Sequence, residues 1–224
     1  MKLAFEPAIV SNAPGLVVYL IEANIENPET SDALWAELEA ESKRWHQTLA
    51  MEQVRHRPAI DAIRNAYKAC GKDPNRYRPS SEALLRRAVK GLDLYRSLTG
   101  IDLGNLVSMA SGHSLGAFDA DKIEGDTLTL GIGRHEEPYE GIGRGPLNIE
   151  GLPVFRDRVG GVGTPTSDNE RTKLSTDTKH LVITLCMYGP SEMNEEEVIE
   201  LTRRLLEQYA SATDIRITRY QAGE

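Results

Sequence analysis

The side chains with chemistry to offer are five histidines, two cysteines and several acidic clusters. His46, His56, His113, His135 and His180 include no i, i+4 pair and have no neighbouring cysteine, so the spacing predicts no zinc site. Cys70 and Cys186 stand alone, without metal-ligand spacing or a disulfide framework, and read as reduced, small apolar residues. Asp119, Asp121 and Asp126 crowd around Glu124, yet no glycine occupies the sixth position that a calcium loop needs. A turn between two strands accounts for them. Gly141-Ile142-Gly143-Arg144-Gly145 and Gly160-Gly161-Val162-Gly163 do not follow a strand and open a helix, and no Lys-Ser/Thr pair completes a phosphate loop. Both read as turns. No Gly-x-Ser-x-Gly elbow is present, and any Ser-His-Asp set would have to be assembled from remote segments. The acidic doublet at 136–137 reads as exposed surface, and the acids at 195–197 as a helix N-terminus, where carboxylates favour the macrodipole. No metal and no cofactor is expected.

The elements that position these residues follow from periodicity. Leu16 to Ile25 is apolar and β-branched, which predicts a buried strand. Ser31 or Asp32 caps a helix carrying Leu34, Trp35, Leu38 and Trp45. Pro58 suits a first helical turn, with Ile60, Ile63, Tyr67 and Cys70 on one face and Gly71 as the left-handed stop. Residues 72–79 form a turn-rich connector. Ser80 is the expected N-cap of a helix with Glu82 in its first turn, burying Leu84, Leu85, Ala88 and Val89 and ending at Gly91. Another helix is predicted over Asp102 to Ser111, with Leu106, Val107 and Ala110 inward. Strands are expected at Leu115–Phe118, Thr127–Ile132, Val154–Asp157, His180–Tyr188 and Ile215–Tyr220, with a helix over Glu195–Tyr209. Helices gather in the N-terminal half around a mixed or antiparallel sheet. That order predicts an α+β fold, read as one domain over 1–224.

Composition narrows the class. The 224 residues are 40% apolar and 27% charged, with a net charge of -8. No apolar run is long enough to span a bilayer, and Glu6 and Pro7 arrive too early for a secretory segment. A soluble, cytoplasmic protein with no membrane partner is expected. Charge is unevenly placed: residues 55–96 hold 11 Lys or Arg against 4 Asp or Glu, while 1–54 hold 3 against 9. The basic segment is either a polyanion-binding patch or two solvated helix faces whose charges pair locally.

Three segments in order carry a resemblance. They are Arg76-Tyr77-Arg78-Pro79-Ser80-Ser81-Glu82-Ala83-Leu84-Leu85-Arg86-Arg87, Ile101-Asp102-Leu103-Gly104-Asn105-Leu106-Val107 and Gly112-His113-Ser114-Leu115-Gly116-Ala117-Phe118-Asp119. The set resembles the tRNA-editing (B-three/B-four) domain of the phenylalanyl-tRNA synthetase beta subunit, which shows Pro-Ser-x-Glu-x-Leu-x-Arg-Arg, Val-Asp-x-x-Asn-x-Val and Gly-x-Pro-Leu-His-Ala-Phe-Asp. Ser167-Asp168-Asn169-Glu170 and Ser175-Thr176-Asp177-Thr178 look like its Ala-Asp-Ser-Glu and Thr-Thr segments. The match is clearest over 74–178. It implies an α+β editing-type fold and a family activity of hydrolysing tyrosine wrongly esterified to phenylalanine tRNA, a translation-fidelity function. The chain is too short for the other synthetase modules, so the resemblance implies a freestanding domain and no amino-acid ligation.

Residue by residue, the resemblance places Arg86 or Arg87 where the family has a cation near its pocket, and Glu170 where an acid meets the tyrosine hydroxyl. Ser175, Thr176 and Thr178 would stand beside it. Asp102 and Asn105 match the Val-Asp-x-x-Asn pattern and are expected to fix backbone. One departure is sharp: the family histidine is Gly116 here, and glycine can neither orient water nor carry a proton. His113, three residues upstream, is the weak candidate to replace it. RNA contacts are expected from Arg55, Arg57, Arg76, Arg78 and Arg87. The leading expectation is an editing-like domain that binds tRNA and hydrolyses mischarged aminoacyl-tRNA in trans. The alternative is an inactive module that binds tRNA or an amino-acid-like small molecule, and a third reading is a partner-binding domain without a ligand cleft.

Overall fold

The computed structural model describes residues 1–224. In chain order the elements are β1 (Lys2–Phe5), α1 (Pro7–Asn12), β2 (Val17–Asn24), α2 (Asp32–Thr48), α3 (Pro58–Ala69), α4 (Ser80–Val89) and α5 (Thr99–Ser111). These are followed by β3 (Ser114–Asp119), β4 (Thr127–Ile132), β5 (Glu140–Gly141), β6 (Gly145–Pro146), β7 (Pro153–Arg156), β8 (Gly161–Gly163), β9 (His180–Met187), α6 (Glu195–Tyr209) and β10 (Thr213–Gln221). One four-stranded sheet runs β10-β2-β9-β3 and is antiparallel throughout. A second runs β1-β4-β7-β8, with a single parallel pair between β1 and β4. The fold is α+β. No helix is long and apolar enough to cross a membrane.

Alternation along the central strands explains the layering. On β9, Leu181, Ile183, Leu185 and Met187 enter a core shared with α2, α4, α5 and α6. Val182 and Cys186 enter a second core against Leu128, Leu130, Phe155 and Val162 of the other sheet. Buried on both faces, β9 therefore reads as one continuous apolar run. On β3 the same rule sends Leu115 and Ala117 to the helices and Phe118 to the sheet-to-sheet core. β3 has a partner on one side only, so its other edge is open.

Local signals act as their chemistry requires, with some exceptions. Ser31 caps α2 through Leu34 N–H, and Asn194 and Glu197 form a reciprocal capping box on α6. Gly112, at φ 80°, ends α5 in the left-handed region. At α4 the N-cap is Pro79 rather than Ser80, and no side chain caps the helix. Glu82 is no solvated first-turn acid either. It is fully buried, with Arg64 at 2.7 Å, Arg86 at 2.8 Å and Arg78 at 3.7 Å. Glu137 departs from the exposed reading in the same way, since Arg156 holds it bidentately at 2.6 and 2.7 Å. Gly161–Gly163, expected as a turn, is strand β8.

Candidate functional site

A cleft of about 220 Å³ opens beside the free edge of β3. Its walls come from Ser80 and Leu84 of α4, from Ile101, Gly104, Asn105 and Ser108 of α5, and from Leu115 and Ala117 of β3. Ile142, Thr164, Ser167, Asp168 and Leu174 complete it. Most of the lining surface is apolar, although Ser80, Asn105, Ser108, Thr164 and Ser167 also line it, and Asp168 is its one ionisable side chain. That composition suits a small organic ligand.

Asp168 is held firmly. Its backbone carbonyl accepts Ile142 N–H at 3.0 Å. The residue before it, Ser167, offers its carbonyl to the Tyr139 hydroxyl at 2.7 Å and to the Thr164 hydroxyl at 3.0 Å. Pro165 accepts Ser80 N–H at 2.7 Å, tying the loop to the start of α4. Asp168 Oδ2 accepts Ala117 N–H at 3.2 Å from the open edge of β3. By antiparallel alternation, the Leu115 N–H and C=O lie on that same edge. Enclosure by protein pushes the Asp168 carboxyl up to about 7, against the single stabilising amide.

Gly116 lies under the cleft rather than in it. A Cβ there would come within 2.7 Å of Phe118 Cζ, 3.0 Å of Thr184 Oγ1 and 3.2 Å of Asp168 Oδ1. Gly163 of β8 meets the same ring from the other side, where a Cβ would fall 2.4 Å from Phe118 Cζ. Two glycines thus make room for one fully buried phenylalanine. No imidazole fits at position 116 in this packing, and Thr184 Oγ1 is left buried without a hydrogen-bond partner.

The other expected residues are dispersed. His113 lines a separate groove with Glu192 and Glu195, where burial and then the Arg57 charge lower its imidazole to about 4. It is neutral at pH 7 and does not line the cleft, so it cannot stand in for the missing histidine there. Glu170 sits in the 3₁₀ turn Glu170–Thr172 and pairs with Lys173, outside the cleft wall. Thr176 is exposed. Thr178 is buried but spent, donating to Asp119 Oδ2 at 2.9 Å and accepting Ser175 N–H at 2.9 Å. From that stretch only Leu174 reaches the cleft. Arg86 turns to Glu82 and Met51. Asp102 fixes backbone as expected, accepting Thr30 Oγ1 at 2.7 Å and Ser97 N–H at 2.8 Å, whereas Asn105 faces the cleft.

Of the arginines expected to touch RNA, Arg57 is buried: it pairs with Glu192 at 2.9 Å and caps the end of α5 through Met109 O and Ala110 O. Arg87 donates to Asp93 O and lies over the Tyr95 ring at 4.3 Å. Arg55 and Arg76 are exposed, and Arg78 is 43% exposed beside Glu82. Asp168 is what sequence reasoning missed. It stands two residues before Glu170 in the quoted Ser-Asp-Asn-Glu segment, and of these two acids it is Asp168 that lines the cleft.

Comparison with known proteins places the chain. The family model of the B3/4 domain matches residues 62–212, and the chain belongs to that family. Among solved structures, an N-terminal fragment of the phenylalanyl-tRNA synthetase beta subunit from Pyrococcus horikoshii is similar at 12% identity and a TM-score of 0.48. The alignment covers 100% of this chain and 54% of that one, so the chain spans about half the length of the fragment. No curated protein matches the chain.

Proposed function

We propose that residues 1–224 act as one editing-like domain whose cleft takes the aminoacyl end of a charged tRNA and hydrolyses the ester in trans. The observation that carries this reading is the small, largely apolar cleft at the β3 edge, built from segments inside the family match. Its volume suits one amino-acid side chain. In the reaction, water adds to the ester carbonyl carbon and the bond to the ribose oxygen breaks. The Leu115 edge amide can hold the carbonyl or the water. With Gly116 where an imidazole would be needed, the proton steps fall to the neighbouring ribose hydroxyl and solvent. Arg55, Arg76, Arg78 and Arg87 would meet acceptor-stem phosphates, and the setting would be cytoplasmic.

Incubation with a panel of mischarged aminoacyl-tRNAs tests this. Deacylation of at least one species above the buffer rate is expected, and none across the panel would overturn it. A second reading, binding without turnover, is favoured by the Phe118 ring filling the site of the missing imidazole. It predicts a tRNA mobility shift without deacylation. That shift should weaken steeply with salt, and each removed arginine should lower the log–log slope by about 1.

A further inference from the structure

Asp168 is the one ionisable side chain on the cleft wall, and the protein gives it no cationic partner. Its sole support is the Ala117 amide at 3.2 Å. A carboxylate among apolar walls is stable only when it takes up a proton or finds a cation. Leu84, Ile101, Leu115 and Leu174 supply the apolar part of the same lining, and its polar side chains, Asn105 and Ser108 of α5 among them, are all uncharged. We propose that the cleft selects a primary ammonium group bearing an apolar substituent, with Asp168 as its counter-ion.

This rests on the reading of the cleft as the seat of the aminoacyl end and deepens it. An α-amino ester carries an ammonium group beside its side chain, which is the pairing these walls offer. An N-acylated residue has lost that charge and would leave Asp168 desolvated and unpaired. The domain would therefore discriminate free aminoacyl esters from N-blocked ones. The recognition is also pH-dependent, because the carboxyl titrates near 7. The titratable groups facing it are Tyr139 and Cys186, and burial raises both, so each is uncharged across neutral pH.

Calorimetric titration with 3-methylbutylamine and 2-phenylethylamine, against 3-methylbutan-1-ol and 2-phenylethanol, tests the charge directly. These amines stay protonated, since alkyl ammonium groups titrate near 10. At pH 8 each amine should bind at least about tenfold more tightly than its alcohol. Amine affinity in the unaltered protein should fall by about tenfold from pH 8 to pH 6, following the ionised fraction of Asp168. Asp168→Asn keeps an acceptor for Ala117 N–H and should bring amine and alcohol to the same affinity. Equal binding of amine and alcohol, amine affinity unchanged in Asp168→Asn or between the two pH values, or no amine binding at millimolar concentration would each overturn the proposal. Deacylation measured on the same preparation separates the two ideas. Ester hydrolysis without amine preference leaves the editing reading and removes this one, and amine preference without hydrolysis does the reverse.

Discussion

Gly116 shows how one residue type can fix what a site is able to do. Its missing side chain is the space in which the Phe118 ring rests, with Gly163 of the facing sheet on the other side. An added methyl group would have to displace either that ring, wholly buried, or Thr184 on the central strand. Overpacking of this kind typically costs about 1–3 kcal/mol. Gly116→Ala is therefore expected to lose unfolding free energy in that range, read from urea denaturation, and Gly116→His at least as much, with no gain in hydrolysis. A Gly116→His protein as stable as the original would show that β3 can accommodate an imidazole, and the packing argument would fail. Asp168 is the complementary case. Its place on the cleft wall could not be picked out along the chain because its loop is assembled by Tyr139, Ser80 and Ala117, residues from three separate segments.

Among the elements, α4 is anchored by a charge rather than by a cap. Its N-terminus has no side-chain cap, and Glu82 instead gathers Arg64 from α3, Arg86 from its own helix and Arg78 from the connector. Arg64 is itself buried, so it depends on that carboxylate. Removing one partner of a buried pair costs about 3–5 kcal/mol, while an exposed pair contributes about 0–1. Glu82→Ala is expected to lose stability in the former range, and Glu124→Ala, which frees only the exposed Arg158, in the latter. Denaturant unfolding of both variants checks this, and equal losses would mean that Glu82 is not the anchor. The arginine-rich motif thus reads as RNA-facing in sequence, although Arg86 and, at longer range, Arg78 turn to Glu82 within the fold. Elements with self-contained signals were legible: β9 by its apolar run, α2 by its Ser31 cap, α6 by the acids at 195–197 that open it, and α3 by Pro58 and Gly71. β1, α1 and β8 were not. β1 is four residues long and exists through its parallel pairing with β4, and β8 is two glycines and a valine held by β7. Such strands are specified by their neighbours, and no local period announces them.

Across the whole molecule, two titrating groups that the fold holds in their uncharged forms oppose each other. Asp168 holds its proton in the folded state up to about 7, whereas an ordinary aspartate in the unfolded chain releases it near 3.8. Between those values the folded protein binds more protons than the unfolded chain, so this group makes stability fall as pH rises. His113 does the reverse. Burial and Arg57, with Glu192 and Glu195 only partly offsetting them, keep its ring neutral down to about 4, while an unfolded histidine takes up a proton near 6.5. Here the unfolded chain binds more protons, and stability rises with pH from about 4 to 6.5. The two slopes overlap and partly cancel, which flattens the pH profile of the native protein over that range. Asp168→Asn should expose the histidine slope and become steadily more stable from pH 4.5 to 6.5, relative to the parent. His113→Gln should expose the aspartate slope and become relatively less stable over the same interval. Urea midpoints for the three proteins at pH 4.5, 5.5 and 6.5 measure these differences, in which every unaltered group cancels. Parallel profiles would mean that neither side chain is held in its uncharged form by the fold. The desolvated state of Asp168, on which ammonium selection depends, would fall with that result.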